Sequence, residues 1–245
     1  MRPSGTPAWG GGPSEPRLKP GEIHVWRVDL AAVDDRLAGL LCKEERTRAE
    51  RMLDERARAL WICSRGVLRA LLGRYVQRDP GTLRFDLGPH GKPALLGGGP
   101  AFNLSHSGTL ALYALSASGE VGVDVQLARR PIDEAAIARR FLAAADAQRL
   151  ARLPQPQRRT EFLRAWVRHE ATLKCRGTGF GGNGEAGAER AAGVGDAAIK
   201  TAAADPADTE RITGALWLAD VDVGPGAAAA VASEEDPREL RCWEW

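Results

Sequence analysis

The sequence predicts a mixed α+β fold built from two halves with a similar order of elements. Each half begins with a short apolar strand, continues through long helices and closes on a strand pair. Residues 116–119 form the connection between the halves. No sequence identity is visible between them, so the repeat is one of element order alone. Two similar halves are expected to enclose a cleft, which is a favoured position for a ligand.

In the first half, alternating apolar and polar residues predict a strand over residues 22–30. An apolar stripe at helical spacing predicts helical structure over residues 43–77, which the turn Asp79-Pro80-Gly81 closes. Short strands are expected over residues 83–87, 101–105 and 110–115. Residues 1–20 are rich in Gly and Pro, so this segment is expected to be disordered, and residues 21–118 are expected to form the first half.

The second half, residues 119–245, is expected to repeat this order. A strand is predicted over residues 120–125, and helical patterns follow over residues 131–152 and 156–175. Residues 177–210 are rich in Gly and Ala and weakly patterned, which predicts a long connection. A final hairpin is expected from residues 215–223 and 227–232, joined by the turn Gly224-Pro225-Gly226.

The overall charge excludes a general polyanion binder, because 34 basic side chains face 32 acidic ones. The arginines are nevertheless concentrated between residues 46 and 78, which suggests a local anion site; a solvated helix face is the alternative. The four cysteines lack metal-type spacing and are expected to be free thiols. Without a signal-peptide pattern or an apolar run of about 20 residues, the chain is expected to be a soluble cytoplasmic protein.

Two groups that can perform chemistry lie on the last predicted helix. Trp166, Glu170 and Lys174 occur at i, i+4 and i+8 and therefore share one face. A Glu four residues before a Lys is also an ordinary stabilising surface pair. Trp166 on the same face favours at least partial burial, and Gly177 places the pair near the end of the helix.

A second carboxylate, Asp124, lies in the apolar strand at residues 120–125. If Val123 and Val125 face the core, Asp124 faces the opposite side together with Gly122 and Gln126. Such an acid is either solvent-exposed on a half-buried strand or paired with a cation or hydrogen-bond donors. Gly122 favours the second possibility, because a glycine within a strand often marks close approach of a ligand or of another backbone.

Two further segments offer hydrogen-bond donors for phosphate oxygens. One is the turn Gly91-Lys92-Pro93, and the other is the strand end Asn103-Leu-Ser-His-Ser107. Lys92 is equally consistent with a plain turn lysine, and His106 with a histidine satisfied by its own fold. No P-loop is present, and no G-x-G-x-x-G motif follows a strand, so nucleotide binding by those routes is unsupported.

Taken in order, these segments resemble the 4′-phosphopantetheinyl transferases of the large Sfp-like, surfactin-synthetase-activating type. The resemblance covers residues 22–235, including the arginine-rich helices and the final hairpin. Any one motif is common, but four in family order with family spacing are specific. The matching motifs are Gly91-Lys92-Pro93, Phe102-Asn-Leu-Ser-His-Ser107, Val121-Gly-Val-Asp124 and Trp166-Val-Arg-His-Glu-Ala-Thr-Leu-Lys174.

The resemblance implies a pseudo-twofold α+β monomer whose cleft holds coenzyme A. It implies Mg²⁺-dependent transfer of the phosphopantetheine arm of coenzyme A to a serine of an apo acyl or peptidyl carrier protein, with release of adenosine 3′,5′-bisphosphate. By position, Asp124, Gln126 and Glu170 are the implied metal ligands, and Glu170 and Lys174 the catalytic pair. The implied coenzyme A contacts are Arg58, Arg65, Lys92, Pro93, Ser105 and His106, with the two arginines at the 3′-phosphate.

Two positions depart from the family pattern. Gln126 stands where members often carry Glu, and an amide oxygen is a weaker Mg²⁺ ligand than a carboxylate. His169 replaces the usual Lys before the catalytic Glu, which removes a permanent charge. An active enzyme is expected. The alternatives are a non-catalytic relative that binds coenzyme A or a carrier, and an unrelated metal-dependent phosphohydrolase that uses the same acids.

Overall fold

The computed structural model describes residues 8–88, 91–128, 132–155, 157–178 and 216–245. Within them the helices are α1 (Lys43–Glu50), α2 (Glu55–Val76), α3 (Glu134–Phe141), α4 (Ala144–Ala151) and α5 (Gln157–Cys175). The strands are β1 (Gly10–Gly11), β2 (Glu22–Asp29), β3 (Phe85–Leu87), β4 (Pro93–Leu95), β5 (Ala101–Ser107), β6 (Leu110–Ser116), β7 (Val121–Leu127), β8 (Trp217–Asp220), β9 (Ala227–Ser233) and β10 (Glu239–Glu244). This mixed α+β composition agrees with the predicted fold class.

The strands described form two principal sheets and one hairpin. A five-stranded sheet has the order β1-β10-β2-β6-β5, a three-stranded sheet has the order β7-β9-β8, and β3 pairs with β4. Of the three strands β2, β5 and β6, the last in sequence, β6, lies between the other two in the sheet. Strands β7, β8 and β9 have the same arrangement, with β9 between β7 and β8. All pairs in these two series are antiparallel, whereas β10 pairs in parallel with both β1 and β2.

Successive side chains of each strand point to opposite faces of its sheet, so both faces of each sheet can pack against another layer. The sheets and two helices form four layers. Trp26 and Val28 of β2 face α2. Ile23 and Val25, on the other face of β2, share a core with the valines of β7. The opposite face of the three-stranded sheet carries small alanines, which pack against Val167, Ala171 and Cys175 of α5. The layer order is therefore α2, large sheet, small sheet and α5.

A ladder of side-chain hydrogen bonds joins the edge strand β7 to β5. The Oδ1 atom of Asn103 accepts from the backbone N–H of Val123 at 2.9 Å. Ser105 Oγ accepts from the N–H of Val125 at 3.4 Å, and Ser107 Oγ accepts from that of Leu127 at 3.1 Å. These N–H groups point away from β9 and would otherwise leave an open sheet edge. The polar side chains of β5 thus attach the small sheet to the large one.

Two predicted helical stretches are interrupted. The pattern over residues 43–77 forms α1 and α2, because Asp54 caps a new helix by accepting from the N–H of Ala57 at 2.8 Å. The pattern over residues 131–152 likewise forms α3 and α4, with Leu142 and Ala143 between them. Of the long connection predicted over residues 177–210, residues 179–210 lie outside the described ranges.

The prediction of a disordered N-terminal segment is wrong from residue 8 onward; residues 1–7 lie outside the described ranges. Strand β1 pairs with β10, and Trp9 is fixed from two sides. Its indole N–H donates to the carbonyl of Asp222 at 2.5 Å, and the guanidinium of Arg27 lies 4.6 Å from the centre of its ring. The single tryptophan of this Gly- and Pro-rich segment therefore supplies contacts that order the segment.

Strand β10 was not predicted. It inserts between β1 and β2, so the end of the predicted second half completes the sheet of the first. Leu240 and Cys242 are buried in the core between the sheets. Among the described residues no helix is long and apolar enough to cross a membrane.

Gly122 permits the close contact between β7 and α5, since a Cβ atom there would overlap the backbone of Ala171 and Cys175. We expect Gly122→Ala to lower the free energy of unfolding by at least about 2 kcal/mol, because neither backbone can move without displacing a layer. Urea denaturation measures the change. Gly39→Ala, at an exposed position where a Cβ meets nothing within 4 Å, should stay within about 0.5 kcal/mol of the wild type. Equal stability of all three proteins would contradict the packing argument.

Candidate active site

Four polar side chains converge where β5, β7 and α5 meet. Val123 and Val125 point into the core between the sheets, so Asp124 points toward α5 as its position in the strand predicts. The helix presents Glu170 and Lys174 on the face that also carries the buried Trp166. Ser105 reaches the same point from β5. The structure therefore brings the acid of the strand together with the acid and the lysine of the helix.

Asp124 is almost fully buried, with 1% of its surface exposed, and is held by charged and neutral donors. Lys174 Nζ lies 2.6 Å from Asp124 Oδ1. Ser105 Oγ donates to the same oxygen at 2.7 Å and accepts from Lys174 Nζ at 3.0 Å. A buried carboxylate requires such partners, because burial without them is strongly unfavourable. The lysine and the serine therefore fix the position of Asp124.

Gln126 contributes a weaker contact on the other carboxylate oxygen. Its Nε2 atom lies 3.4 Å from Asp124 Oδ2. The amide nitrogen, a donor, thus faces the acid. A metal-ligand role for Gln126 requires a rotation of the amide that brings Oε1 to this side.

Glu170 has an incomplete environment. Its Oε1 atom is buried and has no hydrogen-bond partner among the described residues. Burial and the neighbouring charge of Asp124 raise the pKa of Glu170 to about 8, against a smaller opposing effect of Lys174. Two carboxylates in a buried site, one with an unpaired oxygen, favour either a proton or a bound cation. The site can therefore take up positive charge.

The donor set fits Mg²⁺ better than a soft transition metal. The described ranges hold no cluster of three or more His, Cys, Asp or Glu side chains that could bind a metal alone. Mg²⁺ is commonly held by one or two carboxylates, with water and substrate phosphates completing an octahedron. Asp124 and Glu170 provide this kind of partial site.

Two histidines lie near these acids. His106 has a pKa below its usual value because the ring is buried and close to the charge of Lys174. Its Nδ1 atom is buried and has no hydrogen-bond partner among the described residues. Burial also lowers the pKa of His169, whose ring centre lies 5.9 Å from that of Trp166. In both rings the environment therefore favours the neutral form.

Lys92 and Pro93 lie at the hairpin of β3 and β4. Pro93 opens β4 opposite Leu87. The ammonium of Lys92 donates to the carbonyls of Val121 at 2.8 Å and Cys175 at 2.9 Å. It also lies 2.6 Å from Glu120 Oε2. The turn lysine thus contacts the ends of β7 and α5.

The two arginines predicted to contact a phosphate have protein partners. Arg65 forms an ion pair with Glu45 at 3.0 Å. Its guanidinium also lies 5.4 Å from the ring centre of Phe85. Arg58, in the first turn of α2, lies 3.7 Å from Glu55. The polar contacts of both arginines thus stay within α1 and α2.

Sequence reasoning missed the structural role of the polar residues on β5. Asn103, Ser105 and Ser107 alternate, so they share one face of the strand, and this period was the available signal. Their residue types and position predict donors to phosphate, whereas each accepts a backbone N–H of β7. Ser105 additionally donates to Asp124.

Comparison with known proteins finds a family match in the part of the chain that holds these side chains. The model of the 4′-phosphopantetheinyl transferase superfamily matches residues 120–202, which include Asp124, Glu170 and Lys174. The 4′-phosphopantetheinyl transferase HetI of Nostoc sp. strain PCC 7120 is 36% identical over 166 residues, covering 65% of this chain and 70% of that protein. The putative 4′-phosphopantetheinyl transferase slr0495 of Synechocystis sp. is 37% identical over 146 residues, 58% of this chain and 59% of its own length.

A third relative, the 4′-phosphopantetheinyl transferase AcpT of Salmonella typhimurium, is 34% identical over 121 residues, 49% of this chain and 59% of AcpT. These matches define the class of the protein as a transferase enzyme. The chain belongs to the 4′-phosphopantetheinyl transferase superfamily. The resemblance to 4′-phosphopantetheinyl transferases stated from the motifs is thereby confirmed.

The raised pKa of Glu170 predicts how the stability of the metal-free protein depends on pH. Between the usual value of 4.5 and about 8 the folded state binds more protons at Glu170 than the unfolded state does. Stability should therefore fall as the pH rises through this window. Glu170→Gln removes the titrating group, so urea denaturation should show a flatter pH dependence than the wild type. Glu50→Gln, at an exposed position of α1, should follow the wild type. Identical slopes for Glu170→Gln and wild type would contradict the prediction.

Proposed function

We propose that the protein transfers the 4′-phosphopantetheine arm of coenzyme A to a serine of an apo acyl or peptidyl carrier protein, with Mg²⁺, releasing adenosine 3′,5′-bisphosphate. One observation carries the proposal. Asp124 and Glu170 converge from different elements, and Glu170 has a buried oxygen that finds no hydrogen-bond partner among the described residues. The names of the relatives and the family of this chain support the same activity.

The reaction is a phosphoryl transfer. The carrier serine Oγ attacks the β-phosphorus of coenzyme A and forms a new O–P bond. The bond from this phosphorus to the oxygen bridging the two phosphates breaks, and that oxygen leaves with adenosine 3′,5′-bisphosphate. The serine proton must pass to a base, and charge accumulates on the leaving phosphate. Such reactions depend on positioning and electrostatic stabilisation.

Asp124 and Glu170 are the proposed ligands of Mg²⁺, with water, phosphate oxygens and a rotated Gln126 amide as further donors. The metal would neutralise charge on the pyrophosphate and its leaving oxygen. Glu170 is also the proposed base for the serine proton, directly or through a water. A carboxylate with a raised pKa is better matched to this task than an ordinary one.

Lys174 is the proposed partner of the pyrophosphate. Its ammonium contacts Asp124 and Ser105, which orient it beside the acids. From this position the ammonium would donate to a phosphate oxygen of coenzyme A and stabilise the charge that develops on the leaving group.

The remaining contacts with coenzyme A follow from the family positions. Ser105 and His106 lie beside Lys174 and are proposed at the pyrophosphate. Pro93 is proposed to line the coenzyme A pocket. Arg58 and Arg65 are proposed at the 3′-phosphate, where Arg65 would exchange its contact with Glu45 for the ligand.

We also propose that residues 21–118 and 119–245 are halves of a pseudo-twofold fold of the large Sfp-like type. The shared strand order of β2-β6-β5 and β7-β9-β8 supports this arrangement. The cleft between the halves would hold coenzyme A. The protein is proposed to act as a cytoplasmic monomer, and its carrier partner to dock by charge complementarity with a basic rim.

The direct test is incubation with coenzyme A, Mg²⁺ and several apo carrier proteins, followed by mass spectrometry. The expected result is a mass gain of one phosphopantetheine arm on the carrier. Calorimetric binding of coenzyme A without transfer to any carrier would instead favour a non-catalytic relative. Release of free phosphopantetheine to water without a carrier would favour a phosphohydrolase.

Glu170→Gln should reduce transfer by at least about 10³-fold, because the substitution removes a metal ligand and the proposed base together. Initial rates of carrier modification measure the loss, and circular dichroism checks the fold. Glu50→Gln, on the exposed surface of α1, is the matched control and should retain full activity. Normal turnover of Glu170→Gln would remove this residue from the mechanism.

Asp124→Asn should raise the Mg²⁺ concentration needed for half-maximal transfer by at least about tenfold, since an amide is a weaker ligand than a carboxylate. A titration of the initial rate with Mg²⁺ at saturating coenzyme A measures the shift. Asp236→Asn, at an exposed position before β10, should leave the curve unchanged. An unaltered Mg²⁺ dependence of Asp124→Asn would exclude Asp124 as a ligand.

A further inference from the structure

The side chain of Lys92 is held by protein groups to a degree that phosphate binding alone would not require. Its backbone is fixed in the hairpin of β3 and β4, where its carbonyl accepts from the N–H of Gly88 at 2.9 Å. From there the side chain extends away from its own sheet to Val121 and Cys175. Only 14% of the Lys92 side chain is exposed. The ammonium is therefore largely removed from solvent.

All the donors of this ammonium are used within the protein. A lysine ammonium has three N–H donors. The carbonyls of Val121 and Cys175 accept at 2.8 and 2.9 Å, and Glu120 Oε2 lies at 2.6 Å. A phosphate could bind Lys92 only by displacing one of these acceptors, and two of them are backbone carbonyls that would become unsatisfied.

One of the acceptors lies at the end of α5. The N–H of Gly177, at φ +69°, donates to the carbonyl of Lys174, and the N–H of Thr178 donates to that of Leu173. These bonds cap the preceding carbonyls and leave that of Cys175 to Lys92. The aliphatic stem of Lys92 lies beside Gly177, where an added Cβ would be in van der Waals contact with it. The charge of Lys92 lies at the negative end of the helix dipole. Lys92 thus completes the C-terminal cap of α5.

The other carbonyl is at the start of β7. Val121 lies three residues before Asp124, and Cys175 directly follows Lys174. One ammonium therefore joins the two elements that carry the acids and the catalytic lysine. We propose that Lys92 is a positioning residue that fixes the end of α5 against β7, rather than a ligand of the coenzyme A phosphates. Its effect on transfer rests on the proposed function.

Steady-state kinetics separate the two roles. For Lys92→Met, which keeps the stem and removes the ammonium, we expect kcat to fall by at least about tenfold, because small displacements of reacting groups are costly. The KM for coenzyme A should stay within about twofold of the wild type, as expected when no ground-state contact is lost. Lys43→Met, at an exposed position of α1, should match the wild type. A raised KM with unchanged kcat would overturn the proposal.

Glu120→Gln provides a second variant in case Lys92→Met does not fold. It weakens one of the three contacts and leaves both carbonyls in place, so a smaller fall in kcat is expected with KM unchanged. An increase in the KM for coenzyme A with kcat unchanged would count against the positioning role in this variant as well.

Hydrogen exchange tests the cap without any substrate. The N–H groups of Gly177 and Thr178 should exchange faster in Lys92→Met and in Glu120→Gln than in the wild type, because the helix end is less well fixed. Unchanged exchange in both variants would overturn the cap. If the wild type transfers nothing to any carrier, the proposed function fails, while faster exchange would still support Lys92 as the cap of α5.

Discussion

The site depends on the side-chain ladder that attaches β7 to β5. The small sheet would otherwise end in an open edge, because the N–H groups of Val123, Val125 and Leu127 point away from β9. Asn103 and Ser107 satisfy this edge. Ser105 in the same row also binds Asp124, so the contact that holds the sheets together places a hydroxyl beside the buried acid. The contacts that join the two sheets therefore also form part of the site.

The acidic and basic groups of the site are unequal in number. Two carboxylates meet one ammonium, and the ammonium lies on Asp124 rather than on Glu170. The uncompensated acid is the one whose pKa burial raises, and its Oε1 atom has no partner among the described residues. A folded protein retains such an arrangement at a cost in stability. Binding of a cation, or of a proton from a reacting hydroxyl, would relieve it.

The sequence predicted those features of the site that depend on one element at a time. The period of two placed Asp124 opposite the valines of β7, and the helical period placed Glu170 and Lys174 on one partly buried face. Family resemblance was needed to bring the two elements together. The role of Lys92 could not be predicted, because its acceptors are backbone carbonyls distant in sequence, and backbone groups carry no sequence signal.

The same reasoning explains the errors in the predicted fold. Leu240 and Cys242 alternate with polar residues, so a strand was detectable at the C-terminus, but parallel insertion beside β2 depends on a partner more than two hundred residues away in sequence. The ordering of the segment around Trp9 could not be predicted for a similar reason, since the partners of Trp9 lie on β2 and in the loop after β8. Local patterns determine which face of an element is apolar. They do not determine which element covers it.

Gly122 shows how close packing of a strand and a helix backbone affects the positions of the side chains in the site. Because this residue has no side chain, the backbone of α5 can lie directly on β7 at Ala171 and Cys175, the residues that follow Glu170 and Lys174. Asp124 is two residues along the strand on the same face. Any side chain at Gly122 would lift the helix and move Lys174 away from its carboxylate, while Lys92 would lose the carbonyl of Cys175. Three contacts therefore fix the distance between β7 and α5. They are the helix packing at Gly122, the cap at Lys92 and the ion pair at Asp124.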